Sequence, residues 1–366
     1  MFTHRGAHVE LLHAQGRAVS NPSLIGRGTK LMRAHLLHKP SPVEEGPLML
    51  EEVPTPEPSE GELLVRVLCC GICRTDLHIV EGELPPHKQP IIPGHQVVGI
   101  VEQLGRSVEG WQRGDLAGIA WLRGTCQQCR FCQRGRENLC EQAVFTGWDQ
   151  DGGYAEYALV PAEYAYKLPP EADPLLTAPL LCAGIIGYRA LKRADVRPGS
   201  TVGIIGFGSS AHIVMEIASY WGCEVYVFSR QPHHQELARQ MGAAWVGTIG
   251  DEVPRKLDHA ILFAPAGRLV PHVLSYLDKG GILAIAGIYL SPIPELDYEQ
   301  HLYYEKEVRS VTANTREDGH ELLELAARIP IRPQVTPIRF EDANDGLLQL
   351  KRDRFQGSGV LVVSER

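Results

Sequence analysis

The sequence predicts an α/β protein of two domains, a β-rich domain followed by a doubly wound parallel sheet, and three observations predict it. The chain has 366 residues, which suits two domains of roughly 100 to 200 residues each. Its first half alternates short apolar runs with Gly and Pro. From about Leu180 the texture changes to apolar strands spaced by helical segments, the βα alternation of a doubly wound sheet. With 44% hydrophobic and 22% charged residues, the chain is neither disordered nor a small disulfide-stapled scaffold.

Residues 1–31 show no sustained period and read as an N-terminal extension, with Met32 a candidate start. The first domain is placed at 32–182, where Leu63, Val65 and Val67 alternate and the runs HQVVGIVEQLG and LAGIAWL are β-rich. TVGII, EVYVF, DHAILFA and ILAIAGI then read as strands, with helices through Met215, over 235–241 and over 269–277. This second domain is placed at 183–313. The tail, 314–366, reads as one helix and a closing strand that returns to the first domain.

The net charge of −8 argues against a general nucleic-acid binder or a basic membrane-surface protein. The apolar stretch 174–188 is shorter than the roughly 20 residues a membrane span needs, and the N-terminus has no apolar core of signal-peptide length. The expectation is a cytoplasmic protein whose partners are small molecules, not nucleic acid or membrane. Nine cysteines, an odd number clustered in such a chain, point to metal or thiolate chemistry and not to a disulfide framework.

Cys126, Cys129, Cys132 and Cys140 stand in TCQQCRFCQRGRENLC. Four thiolates at this spacing complete a tetrahedral zinc shell with no open position, a structural site. An iron–sulfur ligand set is the alternative, and the spacing suits it less.

Cys73 in GICRTDLH, His95 in IIPGHQVVG and Cys182 in APLLCAGIIG are dispersed, each beside glycine or at a strand end. Two thiolates and one imidazole make a three-ligand zinc site with an open fourth position. Taken singly, each also suits a buried core thiol or a hydrogen-bonded core histidine. Thr75 is placed to hydrogen-bond an oxygen at such a site, His78 to pass its proton to solvent, and Asp76 to fix the His95 tautomer.

GFGSSA gives Gly206, Gly208, Ser209, Ser210 and Ala211 in a GxGxxA pattern between an apolar strand and a helical segment. The first Gly allows the tight turn, the second lets backbone approach a pyrophosphate, and the small third residue permits close packing. Where an acidic residue about 20 positions on would contact the ribose of NAD, the chain offers Ser229 and Arg230. A neutral donor beside a guanidinium suits a 2′-phosphate and leans toward NADP(H). Arg230 also suits a solvated charge at a helix entry.

With these residues in place, the sequence resembles the zinc-dependent alcohol dehydrogenases of the medium-chain dehydrogenase/reductase superfamily. The likeness runs from about Met32 to the C-terminus and carries GICRTDLH, PGHQVVG, the four-Cys lobe, DGGYAEY, LLCAGIIGYRAL and GFGSSA in the family's order. It implies a GroES-like catalytic domain beside a Rossmann-type cofactor domain, two Zn2+ per chain, NAD(P), and assembly as a homodimer or homotetramer. It implies that Cys73, His95 and Cys182 hold the catalytic zinc and that Thr75 and His78 form a proton relay. The implied reaction is reversible hydride transfer between a small primary or secondary alcohol and NAD(P)+. Trp121 resembles the tryptophan that walls the pocket of small-alcohol enzymes, although it also suits ordinary core packing. A polyol or sugar dehydrogenase on the same scaffold, or a decayed zinc- and dinucleotide-binding protein, are the alternatives. Two positions depart from the family pattern: Gln96 stands where Glu is usual, and Ile186 where many relatives carry Thr. Cys69, Cys70 and Cys223 remain as core thiols.

Overall fold

The computed structural model describes residues 30–329, 331–355 and 357–365, so most of the N-terminal extension read at 1–31 lies outside the described residues. Among the described residues, regular structure begins at Leu31, one residue before the expected Met32, in a hairpin of Leu31–Leu37 with Leu48–Pro54.

A seven-stranded sheet forms the first layer. Its order is Val335–Arg339, Ser358–Val362, Glu62–Ile72, Val97–Leu104, Leu116–Ile119 and Ala165–Lys167, with Tyr157–Pro161 also paired to Glu62–Ile72. Glu62–Ile72 pairs with Val97–Leu104 and is long enough to serve two further partners. Its first residues pair with Tyr157–Pro161, and its last, Cys69 to Ile72, pair with Val362 to Gly359. The C-terminal strand therefore supports the backbone immediately before Cys73.

The second sheet has six parallel strands in the order Trp245–Gly247, Glu224–Phe228, Thr201–Ile205, Leu257–Leu262, Leu277–Ile285 and Glu307–Ser310. Numbered along the chain this is 3-2-1-4-5-6, the order of a doubly wound dinucleotide-binding sheet. The fully buried central strand TVGII reads as a continuous apolar run because helices cover both faces. The two outermost strands carry no such run and were not among those expected from sequence. They are short and half-solvated, so burial does not impose an apolar pattern on them.

Helix boundaries shift in the same way. The expected helix at 269–277 is Val270–Tyr276, and Leu277 already opens the next strand; ILAIAGI ceases to be strand at Ile285. A helix that the sequence reading left out, Arg74–Glu81, starts directly after Cys73. No single helix among the described residues is long and apolar enough to cross a membrane. The bent pair Pro174–Leu181 and Ala183–Arg193 meets that composition test, but its apolar residues Leu180, Leu181, Ile185 and Leu191 are buried in the protein core.

Candidate active site

Cys73 caps the helix Arg74–Glu81. Its Sγ accepts from the Thr75 N–H at 3.3 Å, and its own N–H donates to Asp76 Oδ2 at 2.9 Å. A capping box normally uses Ser or Thr; a thiolate performs the same task while its remaining lone pairs face the cleft. His95 follows Gly94, whose φ of +97° places it in the left-handed region, where a Cβ would come within 2.3 Å of the Tyr154 ring. Only glycine fits this turn, and the turn sets where His95 begins. Cys182 lies at the N-terminus of the helix Ala183–Arg193.

These three positions converge. His95 Nε2 lies 3.3 Å from Cys73 Sγ and 3.4 Å from Cys182 Sγ, while His95 Nδ1 lies 3.0 Å from Asp76 Oδ1. With Nδ1–H donated to the carboxylate, the Nε2 lone pair faces the two sulfurs, the orientation a metal ligand needs. Burial pushes the Cys73 thiol well above the ordinary thiol range. Burial opposes charge on His95 as well, yet Asp76 and Cys73 raise it well above the usual imidazole value. A cation held among these donors would offset the two sulfurs and the Asp76 carboxylate. The donor set therefore fits zinc.

Cys126, Cys129, Cys132 and Cys140 also converge. The Sγ separations are 3.5 Å for Cys129 to Cys132, 3.5 Å for Cys140 to Cys126 and 4.0 Å for Cys126 to Cys132. A tetrahedron with Zn–S bonds near 2.3 Å has edges of about 3.8 Å. Backbone N–H groups of Gln128 and Cys129 bring the Cys126 thiol down to about 7, whereas burial holds Cys132 up at about 11. The loop's outer side is clamped to the region before Arg316–Arg328. Glu137 takes a two-pronged salt bridge from Arg316, with contacts of 2.8 to 3.1 Å, and Asn138 donates to the Thr312 carbonyl.

Thr75 and His78 both lie on the helix Arg74–Glu81, one turn apart, which puts them on one side of it. His78 Nδ1 donates to Glu83, a partner that sequence reasoning missed. The Trp121 ring stands edge-on to His95 with centroids 4.9 Å apart, and stacks on Phe145 at 4.9 Å and Trp148 at 6.0 Å. Phe145 and Trp148 are not legible in the sequence, because Phe145 ends a two-residue strand and Trp148 lies in the turn after it, too short for a period to mark them. Gln96 is 2% exposed, and its side-chain amide nitrogen has no hydrogen-bond partner among the described residues. Ile186 donates its N–H to the Cys182 carbonyl one turn back.

Gly206 has φ of +89°, and a Cβ there would press on Ala264 at 3.0 Å; Gly208, before the helix Ser209–Tyr220, would meet nothing within 4 Å. The second glycine therefore opens a cradle at a helix N-terminus, which fits a pyrophosphate. Ala211 is fully buried. Ser209 is turned to the hydroxyl of Ser358, on the strand that closes the other sheet, and the Ser210 carbonyl faces Gly187. Ser229 is buried, its Oγ accepting from the Gln231 N–H, while Arg230 is exposed and makes no ion pair among the described residues. Cys69 and Cys70 are buried and Cys223 half-buried.

Three converging donors and a glycine loop at a helix N-terminus are the parts a zinc-dependent oxidoreductase needs. Residues 59–170 match the alcohol dehydrogenase GroES-like domain and residues 211–328 the zinc-binding dehydrogenase domain. The chain is 47% identical over 340 residues to a Mycobacterium tuberculosis protein described as "Probable alcohol dehydrogenase AdhA", covering 92% of this chain and 98% of that one. It is 35% identical over 327 residues to an alcohol dehydrogenase of Geobacillus stearothermophilus, covering 87% and 96%. A cobalt- and zinc-bound thermostable alcohol dehydrogenase from Pyrobaculum aerophilum superposes with a TM-score of 0.83 at 27% identity, over 91% of this chain and 100% of that one. The chain belongs to the zinc-dependent alcohol dehydrogenases of the medium-chain dehydrogenase/reductase superfamily.

Proposed function

We propose that the protein interconverts small primary or secondary alcohols and their carbonyl products at the cleft formed by Cys73, His95 and Cys182. The convergence of those three donors, from positions far apart in the chain, carries the reading. Zinc held there supplies a Lewis acid that lowers the pKa of an alcohol hydroxyl, and the nicotinamide supplies the hydride acceptor. Thr75 Oγ1 accepts the hydroxyl proton as it gives up its own, and His78 passes a proton outward to Glu83 at the surface. Asp76 holds His95 in one tautomer throughout. The Trp121, Phe145 and Trp148 rings narrow the pocket and exclude water, which favours short substrates over polyols.

In the same reading, 32–182 with 314–366 form the catalytic unit and 183–313 the cofactor unit. Cys126, Cys129, Cys132 and Cys140 hold a closed structural zinc. Gly206, Gly208 and the first turn from Ser209 to Ala211 bind the pyrophosphate, and Ser229 and Arg230 favour NADP(H). Nine unpaired thiols suit a reducing cytoplasm. Tyr289, Tyr298, Tyr303, Tyr304 and Val308 are exposed beside the edge strand Glu307–Ser310; pairing there with a second copy covers them, giving a homodimer or a homotetramer.

Metal analysis with parallel activity assays tests the assignment. Cys73→Ala and Cys126→Ala should each hold one zinc fewer than wild type, with Cys73→Ala folded and inactive. A zinc content in Cys73→Ala equal to that of wild type would sink the catalytic site as drawn. Cofactor binding without alcohol turnover in zinc-replete wild-type protein would instead identify a decayed binding module.

A further inference from the structure

His233, His234 and Asp353 form a third group of converging donors, separate from both cysteine sites. One nitrogen from each imidazole and one carboxylate oxygen all lie within 4.8 Å of one another. The two histidines open the helix Pro232–Gln240, immediately after Ser229 and Arg230. Asp353 comes from a different part of the chain, just after the helix Ala343–Lys351, on the segment that leads into the strand Ser358–Val362 of the other sheet.

Three details set this cluster apart from chance surface polarity. Adjacent side chains on a helix normally point about 100° apart, yet the His233 and His234 rings have centroids only 4.2 Å apart. Asp353 is a non-glycine residue at φ of +53°, an uncommon backbone state, held by its N–H donating to the Leu350 carbonyl at 3.1 Å. Behind His234, with ring centroids 6.5 Å apart, lies His212, 2% exposed and with neither ring nitrogen hydrogen-bonded among the described residues.

We infer that His233, His234 and Asp353 are a third metal site, which takes a divalent transition ion and ties the parallel cofactor sheet to the C-terminal segment of the other sheet. Two imidazoles and one carboxylate are a donor set suited to Zn2+ or Ni2+, with a position left for water. Ligands drawn from both lobes make the ion a clasp at the rim of the cleft. The same C-terminal segment carries Ser358, which meets Ser209 at the glycine loop, so the clasp fixes the spacing of the two walls between which the dinucleotide lies.

The test is equilibrium dialysis of the full chain against Zn2+, then against Ni2+, beside His233→Gln and Asp353→Asn. His233 and Asp353 are exposed, so both variants keep the fold. Each variant is expected to hold one ion per chain fewer than wild type. Added ion should raise the wild-type Tm by more than that of either variant. The difference from wild type is what counts, so occupancy of the two cysteine sites does not enter. Equal metal content in all three proteins overturns the site. Loss in only one variant overturns the three-residue clasp.

Discussion

Asp76 and His95 form a buried pair, with the carboxylate at 0% exposure accepting from His95 Nδ1 at 3.0 Å. The other oxygen of the same carboxylate accepts the Cys73 N–H, so one side chain orients two of the three converging donors. Asp76→Asn keeps the shape but cannot accept on both sides. A 10- to 100-fold loss in zinc affinity or in kcat/KM is expected, roughly what removing a carboxylate behind a metal-bound histidine costs. Chelator titration beside steady-state kinetics measures it; unchanged values in both would remove Asp76 from the role.

Gln96 packs over Gly71, where a Cβ would come within 2.9 Å of its amide carbon. A buried side-chain amide nitrogen without a partner is unfavourable by about 1–3 kcal/mol, and no carboxylate charge is present. Gln96→Glu should retain both zincs and raise turnover by roughly tenfold, equivalent to about 1.4 kcal/mol of barrier. Identical kinetics in the two proteins would show that this position plays no part.

Arg230 is exposed and uncommitted at the end of the strand Glu224–Phe228. If it takes the 2′-phosphate, Arg230→Ser removes a charge-assisted contact of about 1.5–3 kcal/mol. The KM for NADP(H) should then rise roughly 10- to 100-fold, with that for NAD(H) little changed. Equal effects on both cofactors would leave Arg230 as a surface charge.

Asp318 caps the helix Arg316–Arg328 with Thr315 and binds Arg189 at 2.5 Å and Lys192 at 3.2 Å, itself 1% exposed. Burial raises its carboxyl, but the Thr315 N–H and the Arg189 guanidinium outweigh that and hold it below the ordinary value. A depressed folded-state pKa contributes stability above the unfolded value, near 3.9, that is lost as pH falls through the folded one. Asp318→Asn should cost roughly 3 kcal/mol at neutral pH, and the gap to wild type should close below about pH 4. Denaturant unfolding across that range checks it; a gap independent of pH would mean the carboxyl is not depressed.

The sequence by itself determined the local features. Four cysteines within fifteen residues bring their thiols together in one tight loop, and GFGSSA makes the turn from an apolar strand into a helix, because short chain segments have few conformations to choose among. The apolar runs TVGII and EVYVF were legible as strands for a related reason: full burial on both faces leaves an uninterrupted apolar pattern. Tertiary structure decided the rest. Cys73 and His95 are 22 residues apart, and His95 and Cys182 87; no spacing rule joins them, and only the closing strand, Gly94 and two helix N-termini bring them together. The clamp of Glu137 on Arg316 spans 179 residues, and Asp353 reaches His233 and His234 from the opposite lobe. Such contacts depend on how whole sheets pack, a property distributed over the core and not written at the residues that finally meet.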